Sequence, residues 1–198
     1  MENLENYRKE KLIIDIVWAN LFGFLILTPI IFIYGIPFYF IWHHQYPVDR
    51  LGEYMDSVGV AGLGGGFGLF LLLLMGGIVA HELIHGITWS FYTKHGFKSI
   101  RFGVMWKMIT PYCHCKEPLK VKHYVLGALM PGLLLGVLPG VIALVVGSLT
   151  LLLFAIFFTM AAAGDFLMVH LLRKENRDSW VQDHPSETGC YIFRKEGD

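Results

Sequence analysis

His81-Glu82-Leu83-Ile84-His85 is an H-E-x-x-H run, and its residue types and spacing fit metal-assisted hydrolysis. Two histidines four residues apart lie on one helix face, about one turn apart, so both imidazoles can reach one metal ion. The glutamate beside the first histidine can hold and deprotonate a metal-bound water. A catalytic zinc takes three protein ligands and keeps one position open, so the chain must supply a third. A metzincin would place Gly three and His six residues after His85. Thr88 and Phe91 stand there, which excludes that class. Asp165 is the favoured third ligand because it is the only carboxylate in the last two apolar stretches. Glu117, Glu175, His114, His123 and His170 are the alternatives. A purely structural reading also stands beside this one: two interfacial histidines with a snorkelling Glu82, and an Asp165 paired with a His or Lys.

The elements that must position these residues are membrane spans. The chain has 198 residues, 55% apolar and 16% charged, against roughly 25% charged in an average soluble domain. The apolar residues cluster in runs long enough to cross about 30 Å of hydrocarbon. Four spans are expected, at about 13–42, 59–91, 126–146 and 149–172. The first run is too long for a signal peptide. Pro29 and Pro37 are placed to kink the first span, and Pro131 and Pro139 to bend or break the third. The Gly62/Gly66 and Gly64/Gly68 pairs, and Gly127, Gly132, Gly136 and Gly140, favour close helix approach in lipid. Between spans two and three, Ser99–Trp106 and Met108–Cys115 read as a hairpin around Lys107. A short strand is expected at Cys190–Phe193. The fold class is therefore all-α integral membrane, four transmembrane helices with a small cytoplasmic β-hairpin or loop between helices 2 and 3. The whole chain, 1–198, reads as one domain.

Charge sets the orientation. Arg8, Lys9 and Lys11 precede span one, and Arg50 alone lies between spans one and two. Seven Lys and Arg lie between spans two and three, none between three and four, and five after span four. The positive-inside rule then puts both termini in the cytoplasm, and the expected location is a bacterial cell membrane crossed several times. Depth agrees with the choice of Asp165. His85 lies nine residues before Lys94, and Asp165 eight before Arg173. At 1.5 Å per residue, these are roughly 13 Å and 12 Å from the first charge. Net charge is zero and no basic tract stands apart, so nucleic acid is not an expected partner. Three cysteines make no disulfide framework, and Cys113-x-Cys115 lacks the C-x₂₋₄-C spacing of structural zinc sites.

HELIHG at 81–86 and Gly164-Asp165 in a later apolar helix resemble the site-2 protease class of intramembrane zinc metalloproteases. The chain more closely resembles small membrane proteins described as a zincin peptidase domain of unknown function. That resemblance is carried by the HELIHG helix, PYCHCKEPLKVKHY at 111–124, the proline-bearing third span and GDFLMVHLLRKE at 164–175. It runs from about Leu71 to Phe193. Site-2 proteases show Asp followed by Gly within a longer Asn- and Pro-bearing motif. Here Gly164 precedes Asp165, Phe166 follows it, and spans three and four contain no Asn.

The resemblance implies one Zn²⁺ per chain on His81, His85 and Asp165, with Glu82 as general base on the zinc-bound water and then proton donor to the leaving amine. The expected function is intramembrane, zinc-dependent hydrolysis of peptide bonds in a membrane-associated protein or peptide. Membrane lipid is the other expected partner. Gly86, Tyr112, His114 and Pro131 are expected to line the substrate path. A hairpin with a free edge would let an unfolded substrate segment add as a strand. A non-catalytic scaffold or chaperone with a structural metal site is the alternative function. Metal transport is a third, disfavoured because the outer halves of the spans hold few polar residues.

Overall fold

The first strand and first helix meet at Asp15, whose side chain accepts the Trp18 N–H at 2.8 Å and caps the helix. The computed structural model describes residues 7–46, 51–106, 110–184 and 187–195. Its elements in order are β1 (Tyr7–Ile13), α1 (Ile16–Trp42), α2 (Leu51–Ser90), β2 (Ile100–Met105), β3 (Thr110–Cys115), β4 (Leu119–Lys120), α3 (Val121–Pro131), α4 (Leu138–Val146), α5 (Leu149–Ala161), α6 (Ala163–Leu172), β5 (Trp180–Asp183) and β6 (Gly189–Lys195). Three helical stretches are long and apolar enough to cross a membrane: Val17–Trp42, Gly62–Ser90 and Val121–Val146. A fourth span is formed if α5 and α6, which meet at 41°, count as one.

The helices differ from expectation where glycine and proline act. Pro29 and Pro37 sit inside α1, which runs unbroken as one helix. The second helix starts at Leu51, inside what reads as a polar connection, and breaks at Gly59 (φ 68°, ψ 170°) before the apolar span. A Cβ on Gly62 would meet only Val58 of its own helix, and the glycines just after it have no close neighbour. A Cβ placed on Gly64, Gly66 or Gly68 meets nothing within 4 Å. Close approach occurs elsewhere: a Cβ on Gly127 would lie 2.0 Å from Trp89 Nε1, and one on Gly136 2.5 Å from Thr159 Oγ1. Between Pro131 and Pro139 the third span widens to a π-helix over Gly132–Val137 instead of breaking.

The hairpin is present. β2 and β3 pair antiparallel from Ile100↔Cys115 to Met105↔Thr110. Its expected turn, around Lys107, falls at residues 107–109, outside the described residues.

The expectation of an all-α chain with one hairpin is corrected by a second, four-stranded sheet in the order β1-β6-β5-β4. The amino-terminal strand pairs with the carboxy-terminal one from Tyr7↔Lys195 to Ile13↔Gly189. β5 and β6 carry the strand signal in Val181, Tyr191, Ile192 and Phe193. β1 reads as a polar terminus because four charged residues fill Arg8–Lys11, and its pairing partner lies at the far end of the chain. Lys9 Nζ lies 3.7 Å from the Tyr191 ring centroid, a cation–π contact between the two strands.

The core that ties sheet to helices lies where the helices end. Ile14, Trp89, Ile100, Cys115, Leu119, Val121, Tyr124, Met168, Leu172, Val181, Cys190 and Ile192 form one buried cluster. Each large apolar side chain fully buried there contributes about 1.5–3 kcal/mol. A second cluster, Ile30, Tyr34, Phe38, Ala143 and Leu152, packs α1 against α4 and α5.

Candidate metal centre

The buried cluster at the helix ends backs onto a cavity of about 510 Å³ whose wall includes His81, Glu82, His85 and Asp165. His81 and His85 lie one helical turn apart on α2, as their spacing requires, and both are buried. Asp165 lies in the first turn of α6. The break at Ala162 redirects the chain there and carries the carboxylate toward α2.

The three side chains converge. His81 Nε2 lies 3.2 Å from Asp165 Oδ2, His85 Nε2 lies 3.3 Å from Oδ1, and the two Nε2 atoms are 3.2 Å apart. Ligand atoms about 2.0–2.1 Å from a tetrahedral metal stand roughly 3.3 Å from one another. The spacing therefore fits a zinc-sized ion. So does the chemistry. His85 Nδ1 lies 2.9 Å from the Gly127 carbonyl oxygen, so Nδ1 carries the proton and Nε2 offers its lone pair. His81 Nδ1 is buried with no hydrogen-bond partner among the described residues. Among those residues, one group of His, Cys, Asp or Glu brings three ligand atoms within 4.8 Å of one another, and it is His81, His85 and Asp165.

Pro131 prepares the Gly127 carbonyl. In a regular helix that oxygen would accept the N–H of residue 131, which proline lacks. The Gly132 N–H turns to Leu129 O instead. Gly127 itself has no side chain, so α2 and α3 approach closely enough for His85 to reach across. The imidazole is also clamped from the side. His85 stacks on Trp89 at 5.1 Å between centroids, and Trp89 stacks on Tyr124 at 5.1 Å.

The remaining candidates for a third ligand are engaged elsewhere. Glu117 lies at the hairpin root and binds Ser99, His95 Nδ1 at 2.6 Å and the Lys94 N–H at 2.8 Å. Glu175 pairs with Arg194, His123 stacks on Tyr92, and His170 lies beside Arg173. The Cys115 and Cys190 thiols are both pushed up to about 12, above all by burial, and Cys113 is raised for the same first reason.

Of the four residues expected along a substrate path, Tyr112 and His114 lie on the cavity wall. Gly86 and Pro131 do not. Gly86 lets β2 pack on α2: a Cβ there would lie 2.6 Å from Phe102 Cζ. Pro131 is fully buried in the third span.

Sequence reasoning missed the carboxy-terminal wall. Asp183, His184, Glu187, Thr188 and Gly189 all reach the cavity. Asp183 accepts the Tyr124 O–H at 2.5 Å and the Cys115 N–H at 2.7 Å, with His114 Nδ1 at 3.8 Å. Burial raises its carboxyl above the ordinary value, while Tyr124, Cys115 and His114 pull the other way. A lone Asp in a polar tail carries no signal of this; only the strand pairing of β5 places it.

A family model described as "Putative zincin peptidase" matches residues 74–180, more than half of the chain. The chain belongs to this zincin peptidase family. The matched stretch holds His81, Glu82, His85 and Asp165, the whole of the β2–β3 hairpin and the third span. Zincin peptidase membership points to a zinc metallopeptidase, and the His81/His85/Asp165 cluster is one that can hold the metal. No curated protein and no solved structure shows significant similarity to the chain.

Proposed function

We propose that this protein is an intramembrane zinc metallopeptidase that hydrolyses peptide bonds of a membrane-associated protein. The observation that carries the reading is Glu82 on the wall of the cavity into which His81, His85 and Asp165 converge. His81 and His85 would hold the ion through Nε2, and Asp165 through its carboxylate. When bound there, zinc supplies a Lewis acid and lowers the pKa of a water from about 15.7 toward 7. Glu82 takes the proton from the attacking water and passes it to the departing amine nitrogen.

The substrate would lie as an extended segment along β3, held mainly by side chains, because on the outward side Pro111 has no N–H and the Cys115 amide donates to Asp183. One edge of β3 pairs with β2, and among the described residues no strand pairs with the other edge. Thr110, Pro111, Tyr112, Cys113 and His114 all line the cavity, so this edge runs along the site. Four spans with both termini in the cytoplasm and one zinc per chain complete the reading. The charge distribution of the sequence supports that orientation, in a bacterial cell membrane.

Glu82→Gln tests the proposal. The variant is expected to retain one zinc per chain and to lose peptide hydrolysis, read with purified protein in detergent. If the variant matches wild type in every activity and cellular phenotype, the metal is structural and the scaffold or chaperone reading replaces this one.

A further inference from the structure

The cavity that holds the histidines of α2 also holds a separate histidine–carboxylate pair. His114 Nδ1 faces Asp183 Oδ2 at 3.8 Å, and both residues line the cavity. Asp183 is fixed at both oxygens, by the Tyr124 hydroxyl on Oδ1 and the Cys115 amide on Oδ2. The pair therefore joins β3, β5 and α3 at the cavity wall. The position along β3 is specific. Cys113 and Cys115 have the same backbone parity, and the Cys115 amide donates to Asp183. His114 lies between them.

With Nδ1 turned to Asp183, Nε2 is the ring nitrogen left for the cavity. We infer that His114 is a catalytic residue of the proposed peptidase, its Nε2–H donating to the oxyanion of the tetrahedral intermediate, and that Asp183 is the positioning residue holding its ring. This rests on the peptidase reading. Water oxygen forms a bond to the carbonyl carbon, the carbonyl π pair moves onto its oxygen, and Glu82 takes the water proton. On collapse that pair returns, the C–N bond breaks, and the amine nitrogen leaves with the proton from Glu82. His114 stabilises the charge between these two events.

Two further observations select His114. A tetrahedral oxyanion is stabilised by fixed donors in a water-poor site, and the third and fourth spans contain no Asn to act as one. Two of the other donors on the wall are engaged. Tyr124 O–H donates to Asp183, and Trp89 Nε1–H to Tyr124 O at 3.0 Å. The Tyr112 ring lies across Gly103 on β2. A separation of 3.8 Å is charge-pairing reach, longer than a hydrogen bond, and such contacts tighten when substrate closes the site.

The test uses full-length, zinc-loaded protein in detergent and a quenched fluorogenic peptide carrying an apolar segment of about 20 residues. His114→Ala should keep one zinc per chain and lose about 100-fold in kcat with KM little changed. Added imidazole should restore part of the loss. Asp183→Asn should lower kcat, and the double variant should be no slower than His114→Ala alone. Binding supplies a second readout. A phosphonamidate of the peptide, which mimics the tetrahedral anion, should bind His114→Ala weaker by a similar factor. The hydroxamate of the same peptide should bind it unchanged. His114→Phe keeps a ring and removes the donor, and it should behave like His114→Ala. Full kcat in both variants overturns the inference, as does equal loss of zinc, hydroxamate and phosphonamidate binding. Zinc-loaded wild type that neither cleaves the peptide nor binds the phosphonamidate overturns the peptidase reading itself.

Discussion

Pro131 orients His85 without touching the cavity. It withholds the N–H that would satisfy the Gly127 carbonyl, and His85 Nδ1 takes that oxygen at 2.9 Å. A helix defect on α3 thereby sets the tautomer of a candidate ligand on α2. Groups that orient a ligand in this way typically change metal affinity 10–100-fold when lost. Pro131→Ala restores a competing N–H and is expected to weaken zinc binding by about 10-fold, measured by competition with a chromophoric chelator. Unchanged affinity would show that the Gly127 carbonyl serves both donors equally well.

Asp165→Ala is expected to remove tight zinc while leaving the helices intact, because the side chain sits in the first turn of α6. Metal analysis of purified wild-type and variant protein decides this. Tight 1:1 zinc in the variant would refute Asp165 as the third ligand. Chelator treatment of wild type should abolish hydrolysis, and added zinc should restore it.

Two glycine substitutions should differ in sign. A Cβ at Gly127 would lie 2.0 Å from Trp89 Nε1, so Gly127→Ala should destabilise by about 1–3 kcal/mol. Gly64→Ala meets nothing within 4 Å and removes a poor helix former, so it should be neutral or stabilising by up to about 1 kcal/mol. Thermal unfolding in the same detergent compares them. Equal losses in both would mean that the Gly64 face is packed against something in the membrane.

The hairpin root should loosen in acid. Burial raises the Glu117 carboxyl, but hydrogen bonds from Ser99, His95 and the Lys94 amide outweigh it and hold it at about 2, below the ordinary 4.5. A depressed carboxyl stabilises the folded state above its ordinary value, and that contribution is lost as pH falls from about 4.5 toward 2. Hydrogen exchange of the Lys94 amide, corrected for intrinsic rate, should speed up across that window. Glu117→Gln should exchange faster at neutral pH and show a flatter profile.

The sequence alone determined what depends on local spacing and composition. The four-residue interval puts His81 and His85 on one helix face, and runs of apolar residues mark the spans. Alternation around Lys107 marks the hairpin. A single carboxylate in 126–172 pointed to Asp165 before any contact was visible, because charge inside an apolar segment is costly and therefore rare. Tertiary structure alone decided the rest. β1 becomes a strand by pairing with β6 from the other end of the chain, and nothing within YRKEKLI announces a partner that distant. The pairing of β5 with β6, Asp183 opposite Cys190, brings Asp183 to the cavity beside His114. Glycine spacing predicted close packing equally at Gly64/Gly68 and at Gly127, yet only Gly127 has a neighbour. A small side chain permits approach, but which helix comes near is set by the whole packing arrangement.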